Sequence, residues 1–207
     1  MKRISILFTL LIALVFVSAQ AHATNIIFNG GFEAFDIATG TFSIFDEIPG
    51  WMTTSGSGIE IQNNVAGSPF EGAQYVELDS DTNSGMAQTI STVAGQEYDL
   101  SFFYSARPNQ SSTTNGIDIN WDGVNLSNIT ASGIGLSDTD WNLFAFSVIA
   151  TGPSTLLEFV ATGTSDSFGG YLDAVNLQAV PEPSTLLLFG SGLAALAGWR
   201  YRKRVNA

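Results

Sequence analysis

Carboxylates are the reactive groups in which this chain is rich. Residues 24 to 180 hold eighteen of the nineteen Asp and Glu but only one of the seven basic residues, Arg107. That segment therefore carries a formal charge of −17, against −12 for the whole chain. Two chemistries suit such a surplus. Paired carboxylates at the right separation hydrolyse glycosidic bonds, and Asp118 with Asp122 or Asp138 with Asp140 are the available pairs, although so acidic a composition makes close pairs unavoidable. Carboxylate and carbonyl oxygens also bind hard divalent cations, and a structural calcium is the cofactor that the charge suggests. Asp79-Ser80-Asp81-Thr82-Asn83-Ser84-Gly85 alternates oxygen ligands as a calcium loop does. Its glycine stands one place late and the bidentate Glu downstream is missing, so the segment reads better as a solvated hairpin loop.

Flat aromatic faces are the second chemical resource. Trp51, Trp121 and Trp141, with Tyr75 and Tyr104, could stack sugar rings, and Trp51 and Trp121 are the ligand-binding choices. The same residue types also build sandwich cores. Arg107, in a loop before Pro108, either clamps an anionic or hydroxyl-rich ligand or pairs with one of the carboxylates around it.

What is missing excludes more. The chain has no cysteine, and its single histidine, His22, lies in the first segment. Serine and cysteine triads, histidine bases, His/Cys zinc sites and disulfides are therefore absent from residues 24 to 180. Nucleic acid is excluded as a partner because a single arginine among eighteen carboxylates in that segment cannot neutralise a phosphate backbone.

These residues must be positioned by strands. Beyond Thr24 the chain is rich in Gly, Ser, Thr, Asn and Asp, with short Ile, Val, Phe and Tyr runs between turn clusters, which is an all-β pattern. In residues 97–106, Tyr98, Leu100, Phe102 and Tyr104 alternate with mostly polar neighbours. Similar runs at residues 74–78, 116–121, 142–150, 155–161 and 170–177 complete an expectation of roughly eight to ten strands in a two-sheet antiparallel sandwich.

The two ends differ from this middle. Residues 1 to 23 begin with Lys2 and Arg3, continue through an apolar run from Ile4 to Ala19 and finish in Ala21-His22-Ala23. This is the form of a signal helix, with Ala21 and Ala23 as the small residues that signal peptidase accepts. At the other end, residues 180 to 207 carry Pro181-Glu182-Pro183, an apolar run from Thr185 to Trp199, and then Arg200, Arg202, Lys203 and Arg204. As a helix the run would reach about 22 Å against a hydrocarbon core of roughly 30 Å, a short and marginal transmembrane helix. Basic residues at both ends stay on the cytoplasmic side, so the middle is expected outside.

Pro-Glu-Pro, a short Leu/Gly/Ala-rich run and a terminal basic cluster, in that order, resemble the PEP-CTERM sorting signal. The resemblance implies recognition by an exosortase in the inner membrane of a Gram-negative bacterium. It further implies transient membrane association, cleavage near Pro181-Glu182-Pro183, and a final place at the cell surface or in the extracellular matrix.

A second resemblance covers nearly all of residues 25 to 178. Asn29-Gly30-Gly31-Phe32-Glu33, Pro49-Gly50-Trp51, Gly72-Ala73-Gln74-Tyr75-Val76-Glu77-Leu78, Gln88-Thr89-Ile90 with Ala94-Gly95-Gln96-Glu97-Tyr98, and Tyr171-Leu172-Asp173-Ala174-Val175 are similar to galactose-binding-like jelly rolls. This implies a jelly-roll domain over residues 24 to 179 that binds carbohydrate such as an exopolysaccharide, by adsorption and without turnover. The alternatives are a structural surface protein without a specific ligand, or a carboxylate-dependent glycosidase. The resemblance also implies that Glu33 and Asp173 share a structural calcium.

Overall fold

The computed structural model describes residues 24–181 together with Ser191, Gly192, Leu196 and Tyr201. Residues Thr24–Val180 form one compact unit. The signal helix with Ala21 and Ala23, the transmembrane helix, and Glu182, Pro183, Arg200, Arg202, Lys203 and Arg204 lie outside the described residues. Pro181, the last residue described before the tail, is exposed and in no regular element. Among the described residues, no helix is long and apolar enough to cross a membrane.

Among the described residues twelve strands form: β1 (Thr41–Phe45), β2 (Glu47–Ile48), β3 (Trp51–Ser55), β4 (Ile59–Asn63), β5 (Tyr75–Glu77), β6 (Gly85–Ser91), β7 (Glu97–Ser105), β8 (Gly116–Trp121), β9 (Val124–Ile129), β10 (Asn142–Ile149), β11 (Ser154–Thr162) and β12 (Tyr171–Ala179). They build two six-stranded sheets, β1-β4-β5-β12-β7-β10 and β2-β3-β6-β11-β8-β9, with every pairing antiparallel. From β6 to β8 and again from β10 to β12 the chain alternates between the sheets, the crossing pattern of a jelly roll. The all-β sandwich expected from the turn-punctuated runs is the fold observed. The six expected strands are all present, and the additional ones are mostly short and polar, with weak periodicity.

Alternation explains how one strand serves two environments, because neighbouring residues point to opposite faces. Along β7, Tyr98, Leu100, Phe102 and Tyr104 point into the sandwich and are buried. Phe102 meets Phe159 of β11 from the opposite sheet with ring centroids 5.1 Å apart in an edge-to-face arrangement, a geometry that aromatic quadrupoles favour.

The two tryptophans proposed for ligand belong to this core. Trp51 is 2% exposed and packs against Phe32 and Phe159, while its indole N–H donates to Asn29 O at 3.1 Å. Trp121 is 4% exposed beside Tyr98 and donates to Ile149 O at 3.0 Å. Inward register at strand ends takes their faces away from any sugar, which corrects the assignment of Trp51 and Trp121 to ligand binding.

Candidate functional site

The first sheet has an unusual outer face. In β4 every residue is buried: Ile59 and Ile61 enter the core, and Glu60 and Gln62 point the other way beneath covering loops. Cross-strand register sets Glu60 opposite Glu77 and Gln62 opposite Tyr75 on β5, while Tyr171 on β12 lies opposite Glu77. Most buried polar groups are paired, and all of these but the Tyr171 hydroxyl are joined in a network. Gln62 Nε2 donates to Glu60 Oε1 at 2.8 Å and also to Glu77 Oε2. The Tyr75 hydroxyl reaches Gln62 Oε1 at 3.1 Å.

Arg107 completes the network. Its Nη1 forms an ion pair with Glu77 Oε2, and its guanidinium lies 4.6 Å from the Phe168 ring centroid and 5.9 Å from that of Tyr171. Of the two roles open to the one cation of residues 24–180, pairing is realised. Burial pushes the Glu77 carboxyl well above the usual carboxylate range, with Arg107 pulling the other way. Burial also raises Glu60, opposed by the Gln62 hydrogen bond and by Arg107.

The loop that follows β11 is tied down by acidic side chains and brings Phe168 to this face. Asp79 Oδ2 accepts the amides of Asp166 and Ser167 at 2.9 and 3.1 Å, and Glu77 Oε1 accepts that of Gly169 at 2.5 Å. Thr114 Oγ1 lies 2.8 Å from Phe168 O. Asp79, read from sequence as part of a solvated hairpin loop, is fully buried and bridges to Asn83. Its carboxylate organises a loop more than eighty residues downstream.

Between that loop and the sheet opens a cleft of about 220 Å³, lined by Phe42, Glu60, Gln62, Val65, Ser80, Asp81, Arg107, Ser167 and Phe168. Its floor offers acceptors on Glu60 and Gln62 and donors on Arg107, both N–H groups of Gln62 being held by Glu60 and Glu77. Phe42 and Phe168 supply half-exposed apolar faces at 54% and 40%. Few convergent polar groups between aromatic walls are the usual makings of a small-molecule site.

Glu33 and Asp173 do converge, on one loop. Glu33 Oε1 accepts the amides of Ala73 and Gln74 at 2.7 and 2.8 Å. Asp173 Oδ2 accepts those of Phe70 and Glu71 at 2.9 and 3.1 Å, and Asp173 Oδ1 accepts its neighbour Ala174 at 2.7 Å. Between these anchors Gly72 adopts φ 62°, and a Cβ there would come within 2.3 Å of Glu33 Oε1. Glu33 Oε1 and both Asp173 oxygens thus face backbone amide donors, and among the described residues no three acidic side chains cluster to hold a metal. This donor set does not fit a calcium cage. Burial nevertheless pushes the Asp173 carboxyl up to about 7, against the pull of its amide donors.

Of the four aspartates read as catalytic pairs, the carboxylates of Asp118, Asp122 and Asp138 have structural partners, and Asp140 is held through its backbone. Asp118 Oδ1 accepts Asn128 Nδ2 at 2.7 Å, and Asp122 Oδ2 accepts the Thr151 hydroxyl at 2.6 Å. Asp138 Oδ1 takes the Ser68 amide at 2.7 Å, and the backbone N–H of Asp140 donates to Ser105 Oγ at 2.9 Å.

Comparison with known proteins adds three findings. The chain is 30% identical over 161 residues to a multifunctional-autoprocessing repeats-in-toxin protein of Vibrio vulnificus, and 29% identical over 169 residues to that of Vibrio cholerae. These matches take in 76% and 80% of this chain, which itself spans about 3% of each toxin's length. Among solved structures it is similar to a family 35 carbohydrate-binding module of Clostridium thermocellum (14% identity, 66% of this chain and 97% of that one, TM-score 0.45). It is also similar to a family 61 module solved with β-1,4-galactotriose (16% identity, 76% and 99%, TM-score 0.43). Residues 179–203 match the PEP-CTERM protein-sorting motif, so the chain carries the sorting signal of an exosortase substrate, which implies export.

Proposed function

We propose that the jelly-roll domain is an exported carbohydrate-binding module that takes one sugar unit of an extracellular polysaccharide into the cleft beside Arg107. The observation that carries this reading is the combination, in one concave site, of the Arg107 guanidinium as donor, the Glu60 carboxylate as acceptor and the Phe42 and Phe168 faces. Sugars need that combination, since hydroxyls in the ring plane seek hydrogen bonds and the C–H faces seek aromatic cover. The volume is below the roughly 300–1,000 Å³ of clefts that enclose drug-sized ligands, which favours a single ring over a long stretch of chain. No step of bond cleavage is invoked; the domain works by adsorption. The sorting tail supplies delivery, with signal peptidase and exosortase as processing partners at the inner membrane and the cell surface or matrix as the destination.

Binding of the full chain to immobilised oligosaccharides, compared with Phe168→Ala, tests the cleft. Retention of at least one glycan by the parent, with loss of roughly tenfold or more in the variant, supports the reading; equal retention by both contradicts it. Intact-mass analysis of protein recovered outside the cell tests delivery. Masses ending near Ala23 and Pro181-Glu182-Pro183 support it, and an unprocessed chain in the cytosol contradicts it.

A further inference from the structure

The cleft's charge is unbalanced in a way that selects among sugars. The one ion pair among the described residues joins Arg107 to Glu77, so the arginine's positive charge is already matched beneath the cleft floor. Glu60 and Asp81 line the same cleft with no ion-pair partner among the described residues, Arg107 acting on Glu60 only at longer range. Glu60 is only 6% exposed, and one of its oxygens accepts Gln62 Nε2. No donor among the described residues reaches its other oxygen, Oε2, which leaves a nearly buried carboxylate facing open space. Burying an unmatched carboxylate is costly, and a ligand that brings positive charge relieves that cost.

We propose that the preferred ligand is a cationic sugar, a glycan with hexosamine units bearing a free ammonium, seated on Glu60 at the floor and Asp81 at the mouth. This rests on the reading that the cleft binds carbohydrate. The Phe42 and Phe168 faces suit a cation as well as a sugar ring, because the ring quadrupole attracts positive charge. The charge of −17 over residues 24–180 works against uronic-acid and sulfated chains at long range. Asp79 and Asp81 act on Glu60 in the same sense, raising its proton affinity, so an ammonium stands in for the proton that the site would otherwise hold.

Calorimetric titration of the full chain, in chelator and at physiological salt, should compare glucosamine oligomers with N-acetylglucosamine and galacturonate oligomers of equal length. The expected order is glucosamine first by at least tenfold and galacturonate last. Glu60→Gln should erase the glucosamine advantage, bringing the glucosamine and N-acetylglucosamine oligomers to near parity whatever the affinity of either. Asp81→Asn, at the exposed mouth, should halve the advantage or more without risk to folding, whereas Asp99→Asn, an equal charge change outside the cleft, should leave it intact. Equal or tighter binding of the neutral or acidic oligomers overturns the cationic preference but leaves carbohydrate binding standing. An advantage that Asp99→Asn reduces as much as Glu60→Gln also overturns it, as non-specific attraction. Failure of every oligomer to bind strikes the underlying reading.

Discussion

The inner and outer faces of the first sheet come from the same strands and obey opposite chemistry. Inward, Ile59, Ile61, Leu100 and Phe102 join an apolar core; outward, Glu60, Gln62, Tyr75, Glu77 and Tyr171 are just as deeply buried but polar. Apolar burial needs only volume to be filled. Polar burial needs each partner in place, and the Tyr171 hydroxyl, with no hydrogen bond among the described residues, shows how little slack remains. The contrast teaches that the core makes the domain stable while the outer face holds chemistry at a cost in desolvation, as binding sites do.

The largest effect should follow from breaking the apolar side. Phe159→Ala removes the ring that meets both Trp51 and Phe102 and should cost about 3–5 kcal/mol. Chemical denaturation checks this, and protein that stays folded should keep its ligand preference. On the polar side, Arg107→Met strips the counter-charge from fully buried Glu77. Breaking a buried pair costs up to roughly 3–5 kcal/mol, less whatever Glu77 recovers by taking a proton. Because Glu77 already binds its proton more tightly when folded than when unfolded, and the variant deepens that difference, the loss should be smallest in acid. It should grow as pH rises above the unfolded carboxylate value of 4.5.

Asp173 gives a third, smaller contrast. Its folded pKa of about 7 exceeds the unfolded 3.8, so the folded state holds the extra proton, and stability falls as pH climbs between those values and levels off above 7. Thermal melts from pH 4 to 8 should show a shallower decline for Asp173→Asn, whose side-chain carbonyl can still accept the Phe70 and Glu71 amides. The smallest stability change belongs to Asp81→Asn on the exposed mouth, within about 0.5 kcal/mol of the parent.

Much of the sandwich was legible because alternation reports on strands, as Tyr98, Leu100, Phe102 and Tyr104 show. Alternation does not report on β4, where Ile-Glu-Ile-Gln alternates in polarity and yet Glu60 and Gln62 are buried along with Ile59 and Ile61. Trp51 and Trp121 have the residue type of a sugar platform, but residue type does not reveal which side of a sheet a strand end presents. Arg107 stood out as a lone cation. Its partner Glu77 and its aromatic cover Phe168 did not, because both are set by cross-strand register and by a loop return that no local pattern encodes.

The claim that the ligand sits on the polar outer face is tested most directly by mapping amide and indole resonances of the isotope-labelled protein during titration with a bound oligosaccharide. Shifts should concentrate at Gln62, Asp81, Ser167 and Phe168, with the indole N–H signals of Trp51 and Trp121 unmoved. Shifts centred on the second sheet, or on those two indoles, would contradict the account.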